Sequence, residues 1–257
     1  GIILAWRFRK IAIDIGLIIA VIILSFTIND NIHSVMGDIK EEQPIYSVDT
    51  EEKTVSLTFD INWAEKDNLE SILNILDKYN VKGTFFIMGG WVNYSEDNIN
   101  KLIEINKRGN EIGNHSYMHP GFTKITFEKM KEELKKTDDI IEKYTGKKPE
   151  LFRFPSGEYN KDCFEKVRGL GYTCIQWDTD SVDWKELGAD VEYNRVMKKV
   201  KPGSIMLFHN NAKYTPENLE KIINELQKQG YVFKPVGEMI YKNDYTIDEQ
   251  GIQHKNI

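Results

Sequence analysis

Cysteine is scarce in this sequence of 257 residues: Cys163 and Cys174 are the only two. Two thiols cannot build a disulfide-stapled scaffold or a four-cysteine zinc site. An excess of positive charge is also missing. The formal net charge is -6, so the broad basic face that nucleic-acid binding needs is excluded and no nucleic-acid partner is expected. No internal repeat and no low-complexity tract occurs. Disorder is excluded by composition, with 40% hydrophobic and 29% charged residues, enough to build a sizeable core.

What is present begins at the N-terminus. Residues 1–10 form a short basic head with Arg7, Arg9 and Lys10, and Trp6 stands where an interfacial aromatic would. Residues 11–28 are nearly all apolar, with Asp14 the one charge. That length is at the short end for a membrane-spanning helix. Two readings stand: an uncleaved transmembrane anchor, or a secretory signal with a weak cleavage site at Ser25-Phe26-Thr27. Bases before the apolar run send the rest of the chain outside the cytoplasm in either case, membrane-anchored or secreted. Residues 29–50 read as a polar linker and 242–257 as a polar tail. The folded domain is expected over 51–241.

Within that domain, strand and helix patterns alternate. Val55, Leu57 and Phe59 alternate as a strand. Leu69, Ile72, Leu73 and Leu76 follow at helical spacing. Further strands are expected over 83–88, 111–114, 151–154, 172–176, 204–208 and 231–234. Helices are expected around 99–107, 126–144, 162–168, 191–200 and 217–229, the second ended by Gly146 and Pro149. Seven such alternations predict an α/β fold with parallel strands and helices outside. A barrel of this kind carries its chemistry at the C-terminal strand ends.

The distinctive polar residues cluster there. Asp60 ends one strand; His115 and His119 follow another; Arg153, Pro155 and Ser156 follow a third. Asp178, Asp180, Asp183 and Trp184 come next, and His209 ends the run IMLFH. His115 and His119 are four apart, so one helical turn would put both imidazoles on one side. Such a pair can share a divalent metal, zinc above all, with a carboxylate as third ligand. Three of the five histidines are used in this set.

Together these residues resemble the polysaccharide deacetylases with a NodB-homology domain, carbohydrate esterase family 4, over about residues 53–240. The motifs stand in order: Thr58-Phe59-Asp60-Ile61-Asn62, His115-Ser116-Tyr117-Met118-His119, Arg153-Phe154-Pro155-Ser156-Gly157, Asp180-Ser181-Val182-Asp183-Trp184 and Leu207-Phe208-His209. TFDINW and FHNNAKYTPENL, with the N-terminal apolar segment, look more like the sporulation-associated branch, whose members act on cell-wall glycan. The resemblance implies a distorted (β/α)7 barrel that hydrolyses the N-acetyl groups of N-acetyl sugars in a glycan such as peptidoglycan or chitin.

It also implies roles. Asp60 is the base, held by Arg153. His115 and His119 bind the metal. His209 is the acid, its pKa raised by Asp183. The Ser156 N–H, beside Pro155, stabilises the oxyanion, and Trp184 and Leu207 wall the acetyl pocket. Trp63, Trp91, Tyr117 and Tyr159 are candidates for a sugar groove. One departure stands out: the family's metal-binding Asp after the base is Ile61 here, with Asn62 beyond it. The alternatives are a weakly held metal, recruitment of Asp60, catalysis without a tight metal, or an inactive glycan-binding or scaffolding protein.

Overall fold

A computed structural model describes residues 43–256. The expected basic head, the apolar segment and most of the linker lie outside the described residues. In chain order the elements are β1 (Ser47–Val48), β2 (Thr54–Asp60), α1 (Leu69–Lys78), β3 (Thr84–Ile87), α2 (Gly89–Tyr94), α3 (Glu96–Lys107), β4 (Glu111–Asn114), α4 (Phe127–Thr145), β5 (Leu151–Phe152), α5 (Lys161–Gly169), β6 (Thr173–Cys174), β7 (Thr179–Asp180), α6 (Ala189–Lys199), β8 (Ile205–His209), α7 (Thr215–Lys228), β9 (Val232–Phe233), α8 (Val236–Met239), β10 (Tyr245–Ile247) and β11 (Ile252–Lys255).

The main sheet runs β6-β5-β4-β3-β2-β8-β7, with β9 beside the start of β2, and its pairings are parallel. It is a curled parallel sheet, a half-barrel, in keeping with the distorted barrel expected. β6 and β7 are consecutive in the chain yet form opposite edges. The segment at residues 45–48 bonds across this opening. Ile45 N–H donates to the Cys174 carbonyl and Gln176 N–H to that of Ile45, while Val48 N–H donates to the Gly203 carbonyl just before β8. The β6 edge thus finds a partner in an added segment that also reaches the chain just before β8, which satisfies backbone groups there,.

Two expected boundaries change accordingly. Part of the expected linker belongs to the fold, since Ile45 is fully buried. The expected polar tail forms β10 and β11, which pair with each other and, through β11, with β1. Tyr245, Ile247 and Gln253 are buried there. The signal was hidden because a buried amide does part of the work: Gln253 accepts from Tyr241 N–H and donates to the Tyr241 carbonyl.

β2 is buried on both faces, and its alternation sorts the chemistry. Val55, Leu57, Phe59 and Ile61 join the apolar core with α1 and α7 residues such as Leu73 and Ile222. Thr58 and Asp60 lie on the opposite face and meet Arg153. The longest helix among the described residues, α4, starts where Thr126 Oγ1 accepts the Lys129 N–H and ends at Gly146 with φ 76°, a left-handed cap that favours glycine. Cys163 and Cys174 are buried and are not joined in a disulfide.

Candidate active site

The C-terminal strand ends converge on one cavity of about 540 Å³. Asp60, His115, His119, Ser156, Trp184, Leu207 and His209 line it, joined by Asn62, Trp177, Asp180 and Asn211. Arg153 and Asp183 do not line it; both are buried behind it. Pro155 is buried as well, at the start of the turn that presents Ser156.

Asp60 and His209 are direct partners across β2 and β8. The two side chains therefore leave adjacent strands at the same height. Arg153 Nη1 donates to Asp60 Oδ1 at 2.9 Å and to Thr58 Oγ1 at 2.8 Å. Its Nη2 donates to the Gln176 carbonyl at 2.9 Å, and its guanidinium stacks 4.2 Å over the Phe86 ring. A buried cation held on so many sides fixes the carboxylate it faces. Burial pushes the Asp60 carboxyl up, but Arg153 together with His115 and His209 outweighs it, and the net shift is downward. The carboxylate is therefore ionised at neutral pH.

On the other side, His209 Nδ1 donates to Asp183 Oδ1 at 2.7 Å. Asp183 Oδ2 accepts the His209 backbone N–H at 2.8 Å and the Thr215 hydroxyl at 2.7 Å. Burial pushes the imidazole down, yet Asp183 more than offsets this and the pKa is raised. With Nδ1 engaged, Nε2 is the atom left for the cavity. Val182, just before Asp183, has φ 53°, an unusual conformation for a β-branched residue. The Asp180 carboxylate supports it by accepting the Val182 N–H at 2.8 Å.

His115 and His119 do not share a helical turn, as their spacing suggested. They sit on a loop after β4 with positive φ at Ser116 (71°) and His119 (59°). Their rings nevertheless meet edge to face, with centroids 5.0 Å apart. The loop is held by buried Glu133 of α4, whose Oε2 accepts the Tyr117 and Met118 N–H groups. His115 Nδ1 must donate to the Arg153 carbonyl at 2.8 Å, because a carbonyl only accepts,. Its Nε2 then lies 3.6 Å from Asp60 Oδ2. Burial lowers its pKa to about 4, so the ring is neutral.

Two neutral imidazoles suit a divalent metal, but a tight zinc site needs a third protein donor. Ile61 cannot supply it: the side chain is inert and packs in the core. Among the described residues, no group of three His, Cys, Asp or Glu side chains could hold a metal ion. The residues present do not fit the expected three-ligand site.

Ser156 has φ 57°. Gly157 N–H donates to the Phe154 carbonyl and Glu158 N–H to that of Pro155; the Ser156 N–H takes no part in these turn bonds. Trp184 is 60% exposed at the rim, whereas Leu207 is buried at the wall. Of the groove candidates, Trp91 is buried, and Tyr159 stacks on Phe154 and bonds Tyr46. The cavity aromatic missed by sequence reasoning is Trp177. It opens the run WDTDSVDW, whose second tryptophan drew the attention. Asn210 was missed too. It follows His209, is fully buried, and accepts the Asn62 N–H at 2.8 Å.

A family model described as polysaccharide deacetylase matches residues 47–175. The peptidoglycan-N-acetylmuramic acid deacetylase PdaA of Bacillus subtilis is 33% identical over 213 residues, 81% of this chain and 80% of that protein. The uncharacterized protein YlxY of the same organism is 34% identical over 78% of this chain; the match spans 61% of YlxY. Among solved structures, BA3943, a CE4 family pseudoenzyme from Bacillus anthracis, superposes with a TM-score of 0.72 at 33% identity, covering 83% of this chain and 73% of that one. A BA3943 mutant with restored enzymatic activity matches at 0.71 and 36% identity, over 77% and 71% of the two chains.

Proposed function

Because the chain belongs to the polysaccharide deacetylase family, we propose that it hydrolyses the N-acetyl groups of hexosamines in a cell-wall glycan, peptidoglycan foremost. The observation that carries this reading is the pair of oriented proton-transfer groups facing one cavity: Asp60 on Arg153, and His209 on Asp183.

Amide hydrolysis needs a water made nucleophilic, a stabilised oxyanion and a proton for the leaving nitrogen. Asp60, ionised and aimed by Arg153, takes the water proton. The Ser156 N–H donates to the developing oxyanion. His209, protonated with Nδ1 on Asp183, delivers a proton from Nε2 to the amine. Leu207 and Trp184 flank the acetyl group. No step is routed through a metal, because the donors do not make the three-ligand site. The substrate of PdaA and the bases before the apolar run at residues 11–28 support a substrate outside the cytoplasm, reached from a membrane-anchored or secreted protein.

A second reading is a catalytically inactive glycan-binding protein. Ile61 in the core favours it, as does the likeness to a pseudoenzyme. Incubating the full chain with peptidoglycan and analysing the digested fragments by mass spectrometry separates the two. Loss of acetyl from one hexosamine type is expected. Sedimentation with peptidoglycan and no acetyl loss would establish the second reading instead.

A further inference from the structure

A second cavity, of about 480 Å³, lies beside the first, and the catalytic reading does not use it. Trp63, Trp91, Tyr94, Asp67, Asp97 and Lys101 are among its lining residues. Trp91 is a buried floor, while Trp63 is 37% and Tyr94 75% exposed. Lys101 bridges Asp67 at 2.9 Å and Asp97 at 2.7 Å. Exposed aromatic faces ringed by fixed polar groups suit a ligand with apolar faces and polar edges.

Both walls of this cavity are tied to the catalytic loops. The loop bearing Trp63 follows Asn62, which lines the first cavity. Asn210, next to His209, donates to the Asn62 carbonyl at 3.0 Å and to Asp67 Oδ1 at 3.1 Å. The helix α2, bearing Trp91 and Tyr94, begins with Gly89 and Gly90 N–H groups donating to the Ser116 and Tyr117 carbonyls of the histidine loop. A Cβ at Gly90 would lie 2.6 Å from Met118 sulfur and 3.5 Å from the Trp63 ring. Glycine there lets the helix, the histidine loop and Trp63 meet.

We propose that this cavity is a second sugar subsite, in which Trp63 and Tyr94 stack a hexosamine ring of the same glycan strand whose acetamide enters the catalytic cavity. This rests on the glycan reading above. The lining holds three carboxylates, Glu65, Asp67 and Asp97, against one lysine. The ring it takes is therefore uncharged rather than carboxylate-bearing.

The test measures binding of N-acetylglucosamine dimers and pentamers to the full chain by calorimetry, with acetate release followed separately. The wild type is expected to bind the pentamer about three- to tenfold more tightly than the dimer, the worth of one or two aromatic contacts. Trp63→Ala and Tyr94→Ala should bring the pentamer down to dimer affinity, and Trp63→Phe should restore part of the gain. Tyr94 is too exposed for its loss to unfold the chain. Equal affinity for both oligomers in the wild type, or unchanged pentamer binding in both alanine variants, would overturn the subsite. Length-dependent binding that these variants abolish, with no acetate released by any protein, would uphold the subsite and remove the hydrolytic reading instead.

Discussion

The two sides of the cavity are built to different standards. On the β8 side, both carboxylate oxygens of Asp183 are engaged: they meet the His209 imidazole, its backbone N–H and the Thr215 hydroxyl. On the β2–β4 side, Asp60 is equally well held by Arg153, but the two histidines beside it lack a third acidic companion. Proton transfer is fully equipped where metal binding is not. The support for Asp60 and His209 is also costly: it keeps a guanidinium and a carboxylate fully buried, an arrangement that stabilises a fold little for its own sake.

Removing the two proton-transfer groups, one on each side, should have the largest effect. Asp60→Asn and His209→Ala are each expected to lower kcat by about 10²–10⁴-fold, the usual worth of a general base or acid. Steady-state acetate release checks both.

The incomplete side is sharpened by two neighbouring substitutions that should differ in kind. Ile61 faces the core, so Ile61→Asp buries a carboxylate among apolar side chains. A loss of about 3–5 kcal/mol, the scale for an uncompensated buried charge, is expected in chemical denaturation. Asn62 lines the cavity with both histidines. Asn62→Asp is therefore expected to raise zinc affinity by more than about tenfold, read by calorimetry, with little change in stability. The reverse pattern would mean that residue 61, not 62, points toward the histidines.

The smallest effect is a shift in pH dependence. Asp60 is held below its ordinary range and His209 above its own. The proposed mechanism needs the first ionised and the second protonated, so a wide plateau is expected, its acid limb low and its alkaline limb high. Asp183→Asn removes the charge that raises His209 and should move the alkaline limb down, leaving the acid limb in place. The same coupling bears on stability. A histidine with a raised folded pKa stabilises the fold below its unfolded pKa, and that contribution fades as pH rises through the folded value. Asp183→Asn should flatten this dependence.

Much of this was legible because the informative residues sit at strand ends. Asp60 closes an alternating run and His209 a fully hydrophobic one, and the strand–helix alternation fixed which end they share. The helix over residues 126–144 was readable from its Thr126 cap and Gly146 stop. What sequence periodicity could not show was backbone that follows no period. The histidine loop depends on positive φ at Ser116 and His119 and on Glu133 from a distant helix. Closure of the sheet by Ile45 joins segments far apart in the chain. β11 was hidden because Gln253 fills a core position with an amide satisfied by Tyr241. Alternation along β2 did carry one overlooked message: if Thr58 and Asp60 face the cavity side, Ile61 faces the apolar core and not the histidines.

Acetate release from peptidoglycan by the full chain, compared with Asp60→Asn and followed with added zinc and with a chelator, tests the central claim most directly. Release by the wild type that Asp60→Asn abolishes is the result expected. No release by the wild type at any zinc concentration, or equal release by the variant, would contradict it.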